Sequence, residues 1–143
     1  MRRFAAGLEI FAAAYVAAWM LILAAARSVR GELYAEWTLG EHAVRIAAPM
    51  ALMLLSFRSR AGVRSGHAEK AIAILVIAAA ATFAVHGYKA MKFYGPFTDL
   101  ILLTDTRWTR FEIAQPAAES ALFAIGVADI LVAVLLVATR WRW

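Results

Sequence analysis

Six ionisable side chains stand where apolar sequence makes them costly: His42, Arg45, His86, Lys89, Glu119 and Asp129. An imidazole exchanges protons near neutral pH, and lysine and arginine bring positive charge and hydrogen-bond donors. A carboxylate withdrawn from water is either protonated or paired. These types can bind a small polar group and pass it a proton. His86 and Asp129 would handle the proton, with His42, Arg45, Lys89 and Glu119 as binding groups.

Their spacing supports the grouping. His42, Arg45, Pro49, Leu52 and Ser56 recur at alternating three- and four-residue steps, and so do Ala79, Thr82, His86, Lys89 and Phe93. A third series comprises Glu119, Leu122, Gly126, Asp129 and Ala133. That rhythm draws one stripe along a helix, and ionisable groups in apolar helices turn inward. If the helices alternate in direction, His42, His86 and Glu119 meet at one end. Asp129 lies ten residues past Glu119, about 15 Å deeper by helical rise.

Structural roles compete with each assignment. His86 also suits the polar edge of a helix, and His42 suits a cap. Arg45 can snorkel or pair with Glu41 or Glu119, and Glu119 suits the positive end of a helix dipole. Asp129 is harder to account for this way, because isoleucine, leucine and valine surround it. Gly126, one turn earlier, permits close helix approach.

Other chemistries are excluded or unmarked. The chain has no cysteine, which removes thiolate metal sites, iron–sulfur ligation and disulfide exchange. No glycine-rich phosphate loop, nucleophile elbow or HExxH is present. Only three histidines occur; a metal ion would need His42, His86 and Glu119 together, and their spacing singles out none. A b-type haem between His42 and His86 is a lesser alternative.

The elements that must position these residues are membrane helices. Of 143 residues 64% are hydrophobic, with a mean hydropathy of +0.69, well above the roughly half-apolar make-up of soluble domains. Four apolar segments emerge, at about 4–26, 42–57, 71–88 and 116–139, the second barely long enough to cross. The reading is an all-α, integral membrane four-helix bundle forming one domain over 1–143. An outer interfacial segment at about 97–104 follows the Gly95-Pro96 turn signal. The opening "MRRF" resembles a signal peptide, but the long apolar run and Glu9 favour retention as the first helix.

Basic residues set the orientation. Arg2, Arg3, Arg58, Arg60, Arg64, Lys70, Arg140 and Arg142 fall on one side, eight against six on the other. Both termini are therefore expected in the cytoplasm. "RWRW" reads as an interfacial anchor, and the net charge of +5 suits anionic headgroups and calls for no nucleic acid.

The stretches "HGYKAMKFYGPFTDLI" and "AIGVADILVAVLL" resemble the DoxX-like group of small four-helix bacterial membrane proteins. The matching positions are His86, Gly87, Lys89, Pro96, Phe97, Gly126 and Asp129. The resemblance implies a multi-pass protein of the bacterial inner membrane tied to quinone or sulfur redox chemistry, as in thiosulfate:quinone oxidoreductase. A quinone is then the implied cofactor, and membrane or redox proteins are the implied partners beside the lipid bilayer. Two other functions fit the same residues. One is a non-catalytic packing subunit of a larger membrane complex; the other is a small proton-coupled carrier using Asp129 and Glu9.

Overall fold

The computed structural model describes residues 2–31, 33–61 and 66–140, with side chains described within 7–31, 33–56 and 66–140. Arg2, Arg3, Glu32, Arg58, Arg60 and Arg64 lie outside those described side chains, as do Trp141, Arg142 and Trp143. Much of the orientation and anchor reading rests on them.

Every regular element among the described residues is helical. Helix α1 runs Arg2–Val29. After a 3-10 turn at Ala35–Trp37 comes the single turn α2, Thr38–Glu41, and then α3, Ala43–Ala61. Helix α4 is His67–Met91 and α5 is Gly95–Thr104. A π turn at Asp105–Thr109 leads toward α6, Gln115–Arg140. Among the described residues three stretches are long and apolar enough to cross a membrane: Gly7–Val29, His67–Met91 and Gln115–Arg140. At about 1.5 Å per residue each exceeds a ~30 Å hydrocarbon core. Helix α3 carries Arg45, and Pro49 inside it deprives the Arg45 carbonyl of its helical N–H donor.

The long helices pack in a row, α1 on α3, α3 on α4 and α4 on α6. Position in that row explains the burial pattern. Helix α4 is covered on two sides, so its buried residues, Ala78, Ala80, Val85, Gly87, Lys89 and Ala90 among them, do not follow one stripe. Helix α6 has one long neighbour, with α5 as a lesser contact, and its buried residues Ala118, Leu122, Gly126 and Ala133 do follow one stripe. The far faces of α1 and α6 expose large apolar side chains, including Phe11 and Leu135. In lipid such faces need no protein cover.

The α4–α6 contact turns on two glycines. A Cβ on Gly87 would stand 2.7 Å from the Gly126 carbonyl oxygen, and one on Gly126 would stand 2.8 Å from the Gly87 carbonyl oxygen. Neither backbone has a flexible tip to yield, so the crossing requires hydrogen at both positions.

The reversal after α4 is made by Phe93 (φ 53). Its N–H bonds the Ala90 carbonyl at 3.0 Å, and the Tyr94 N–H bonds the Lys89 carbonyl at 3.1 Å. This is a Schellman closure, usually built on glycine. The Gly95-Pro96 pair therefore opens α5, with proline in the first turn where its missing N–H costs nothing.

Gly87→Ala or Gly126→Ala should remove about 1–3 kcal/mol of stability, the usual penalty for overpacking, measured by unfolding in detergent. Gly95→Ala, whose Cβ meets nothing within 4 Å, should leave the transition in place.

Candidate functional site

The site forms where α2 meets the end of α4. Thr82 fixes that meeting. Its hydroxyl donates to the Gly40 carbonyl at 3.1 Å and accepts from the Val44 N–H at 3.3 Å, clasping both sides of the α2–α3 junction. Gly40 allows the approach, since a Cβ there would lie 2.7 Å from Val85 Cγ2. With α2 so placed, Glu41 lies over the next turn of α4, where Lys89 and His86 emerge.

Lys89 is only 3% exposed, and its Nζ donates to Glu41 Oε2 at 2.6 Å. The ammonium also faces the rings of Tyr94, at 5.1 Å, and Tyr34, at 6.0 Å. These rings stack edge-on with each other, and such cation–ring contacts strengthen as water is removed. His86 Nε2 stands 3.9 Å from Glu41 Oε1, an ion-pair distance when the imidazole is protonated and too long for a hydrogen bond. The His86 ring packs edge-on against Phe97 of α5.

Burial alone would raise the Glu41 carboxyl. The Lys89 hydrogen bond and charge, with lesser help from His86 and His42, outweigh it and hold the group below its ordinary value. Glu41 therefore persists as a carboxylate at neutral pH.

A polar cavity of about 40 Å³ adjoins the pair, bordered by Arg27, Leu33, Tyr34, Ala35, Thr38, Glu41, Lys89 and Tyr94. It has room for water or for the carbonyl or hydroxyl edge of a larger molecule. Its donors are lysine, arginine and tyrosine, suited to an electronegative oxygen.

The structure brings Lys89, His86 and His42 together around Glu41. His42 is buried, with a buried Nδ1 that has no hydrogen-bond partner. Arg45 is exposed, three residues beyond His42. Glu119 accepts a hydrogen bond from Gln115 at 2.7 Å. It lies seven residues before Gly126, about 10 Å along α6 from the glycine crossing, and has no bond to the Lys89 cluster. Asp129 borders that crossing, its Cβ 3.1 Å from where a Gly87 Cβ would be. Among the described residues no group of three or more His, Asp or Glu side chains could hold a metal ion.

Glu41, Tyr34 and Tyr94 belong to the site although no stripe in the sequence marks them. The available signal was Lys89 itself: a lysine inside an apolar helix needs a carboxylate, and Glu41 directly precedes His42.

Glu41→Ala should cost about 3 kcal/mol, near the low end for breaking a buried pair, because Glu41 keeps 22% of its side chain exposed. Replacing both partners, Glu41→Leu with Lys89→Met, should restore most of that loss. With the folded carboxyl held below 4.5, the pair's contribution is complete above that pH and lost as pH falls through the lowered value. Denaturant titrations between neutral and acid pH should show that fall in the native chain and flatten it in the double variant.

Comparison of the chain with protein-family models, with curated proteins and with solved structures finds no match.

Proposed function

We propose that this is a four-span, DoxX-like protein of the bacterial inner membrane, with cytoplasmic termini and a polar site near the outer leaflet. In this reading α3 is the fourth span, and the site receives the polar head of a quinone-like molecule. The observation that carries it is the buried Lys89–Glu41 pair, with His86 beside it and the small polar cavity in front. Lys89 Nζ donates one hydrogen to the Glu41 carboxylate, and its remaining donors are available to an incoming oxygen. Tyr34 and Tyr94 offer ring faces and hydroxyls at the cavity edge. His86, 40% exposed at its side chain with Nε2 3.9 Å from Glu41 Oε1, exchanges a proton with the bound head. A bound quinone would supply the two-electron chemistry, its two electrons coming from a redox partner and its two protons one through His86 and one from water; this chain binds and orients the head.

A second reading, a packing subunit of a larger membrane complex, is favoured by the open row of helices. Between α4 and α6 lies an open apolar groove of about 630 Å³, lined by Ala80, Ala81, Ala84, Ala133 and Val134 among others. Small residues of this kind admit a further helix closely.

Titrating a short-chain ubiquinone analogue into purified protein distinguishes the two. Trp37 packs on Tyr88 at 5.5 Å, close enough to the site for its fluorescence to report occupancy. The first reading expects saturable quenching, weakened by about tenfold or more in His86→Ala, equivalent to ~1.4 kcal/mol. Absence of saturable quenching in the native chain rejects it. The packing reading expects a membrane protein to co-purify in mild detergent, equally well with His86→Ala.

A further inference from the structure

The segment between α5 and α6 is built around an inward-turned carboxylate. Asp105 is 5% exposed. It accepts the Thr109 hydroxyl, the Phe111 N–H at 2.8 Å and the Ile113 N–H at 2.8 Å. Its own carbonyl accepts the Arg110 N–H at 2.7 Å. The chain closes on this carboxylate by placing two non-glycine residues, Arg110 (φ 54) and Glu112 (φ 56), in the left-handed region. Such residues persist there only when surrounding bonds over-determine them. The loop is therefore a fixed shape.

That shape faces outward with side chains unsuited to water alone. Trp108 is 81% exposed and Phe111 77%, and Arg107 and Arg110 are exposed beside them. With Asp105 turned in, the outward side of the loop sets two guanidinium groups against the single carboxylate of Glu112. Phe111 stands four residues before Gln115, where α6 begins, so at most about 14 Å of chain separates it from the mouth of a membrane-length helix. Tryptophan and arginine share that level of a bilayer, the indole at the headgroup boundary and the guanidinium forked onto phosphate oxygens.

We propose that residues 105–113 form a preformed interfacial anchor for the leaflet at which α6 begins. Trp108 and Phe111 seat among the lipid headgroups, and Arg107 and Arg110 bond their phosphates. Asp105 acts as a positioning residue that keeps the loop in this shape. The anchor rests on the reading of α6 as a span and is independent of any ligand at Lys89.

The test uses the full chain in lipid nanodiscs with Trp108 as its single tryptophan, the other four replaced by phenylalanine. Quenchers are attached at shallow or deep positions on the lipid, and acrylamide probes from water. A matching chain keeps only Trp19, mid-span on α1. Shallow lipid quenchers should act most strongly on Trp108, and deep ones on Trp19. Arg107→Gln with Arg110→Gln, and separately Asp105→Ala, should raise acrylamide quenching of Trp108 at least twofold. Asp105→Ala in the Trp19 chain should change nothing, which separates release of the loop from unfolding. If Trp108 is open to acrylamide and untouched by lipid quenchers while Trp19 responds, the anchor is overturned and the surface faces water or a protein. If Trp19 also fails to respond, the membrane reading falls with it. Unchanged quenching in the double arginine variant overturns the phosphate contacts.

Discussion

A lysine withdrawn from solvent on a membrane-length helix must meet a fixed negative charge, and much of this molecule is arranged to satisfy Lys89. The carboxylate comes from α2, a single turn that has little reason to be helical alone. Thr82, Gly40 and Val85 hold that turn against α4. The Schellman closure uses the Lys89 carbonyl as an acceptor and carries Tyr94 over the ammonium of the same residue. Main chain and side chain of one lysine thus shape both the end of α4 and the roof of the cavity. Since an ion pair so placed contributes modestly to stability against an apolar replacement, its presence is better understood as chemistry retained than as strength gained.

The helices were legible because apolar length is a direct signal. The expected segments at 4–26, 71–88 and 116–139 fall within α1, α4 and α6, and the stretch at 97–104 lies inside α5. The apolar members of the stripe on α6, Leu122, Gly126 and Ala133, were legible too, since a helix with one long neighbour buries one face; Glu119 and Asp129 on that stripe are half-buried. The stripe through His42 and Arg45 was not, because α3 sits between two helices and leaves Arg45 outside both contacts. His86 and Lys89 could be singled out as ionisable residues near the end of an apolar helix, although the stripe drawn through them is not the buried face of α4. Glu41 was hidden because it belongs to a separate short turn, whose placement depends on a tertiary clasp that no periodicity encodes. Phe93 was hidden for a related reason: glycine is the usual residue at such a closure, and the nearby Gly95-Pro96 drew attention to the wrong side of the bend.

Asp129 and Lys89 show two ways for a helix to carry an ionisable group in an apolar setting. Lys89 is enclosed and paired at the end of its helix. Asp129 lies deep in α6, half-buried, beside the backbone crossing of Gly87 and Gly126. His86 lies between these settings, in sequence next to Gly87 and in space near Glu41. The glycine crossing therefore does more than join α4 to α6, for it sets Asp129 against Gly87, the residue that follows His86.

The row of helices also bears on biogenesis. Each extensive interface joins a long helix to the one made just before it: α3 to α1, α4 to α3, α6 to α4. None has to wait for a distant part of the chain, so each helix can dock as it leaves the ribosome, in the N-to-C order in which nascent chains generally fold. The cavity around Lys89 is complete once α4 and Tyr94 have been made, before α6 is added. A chain arrested after Tyr94 already contains every residue that borders it.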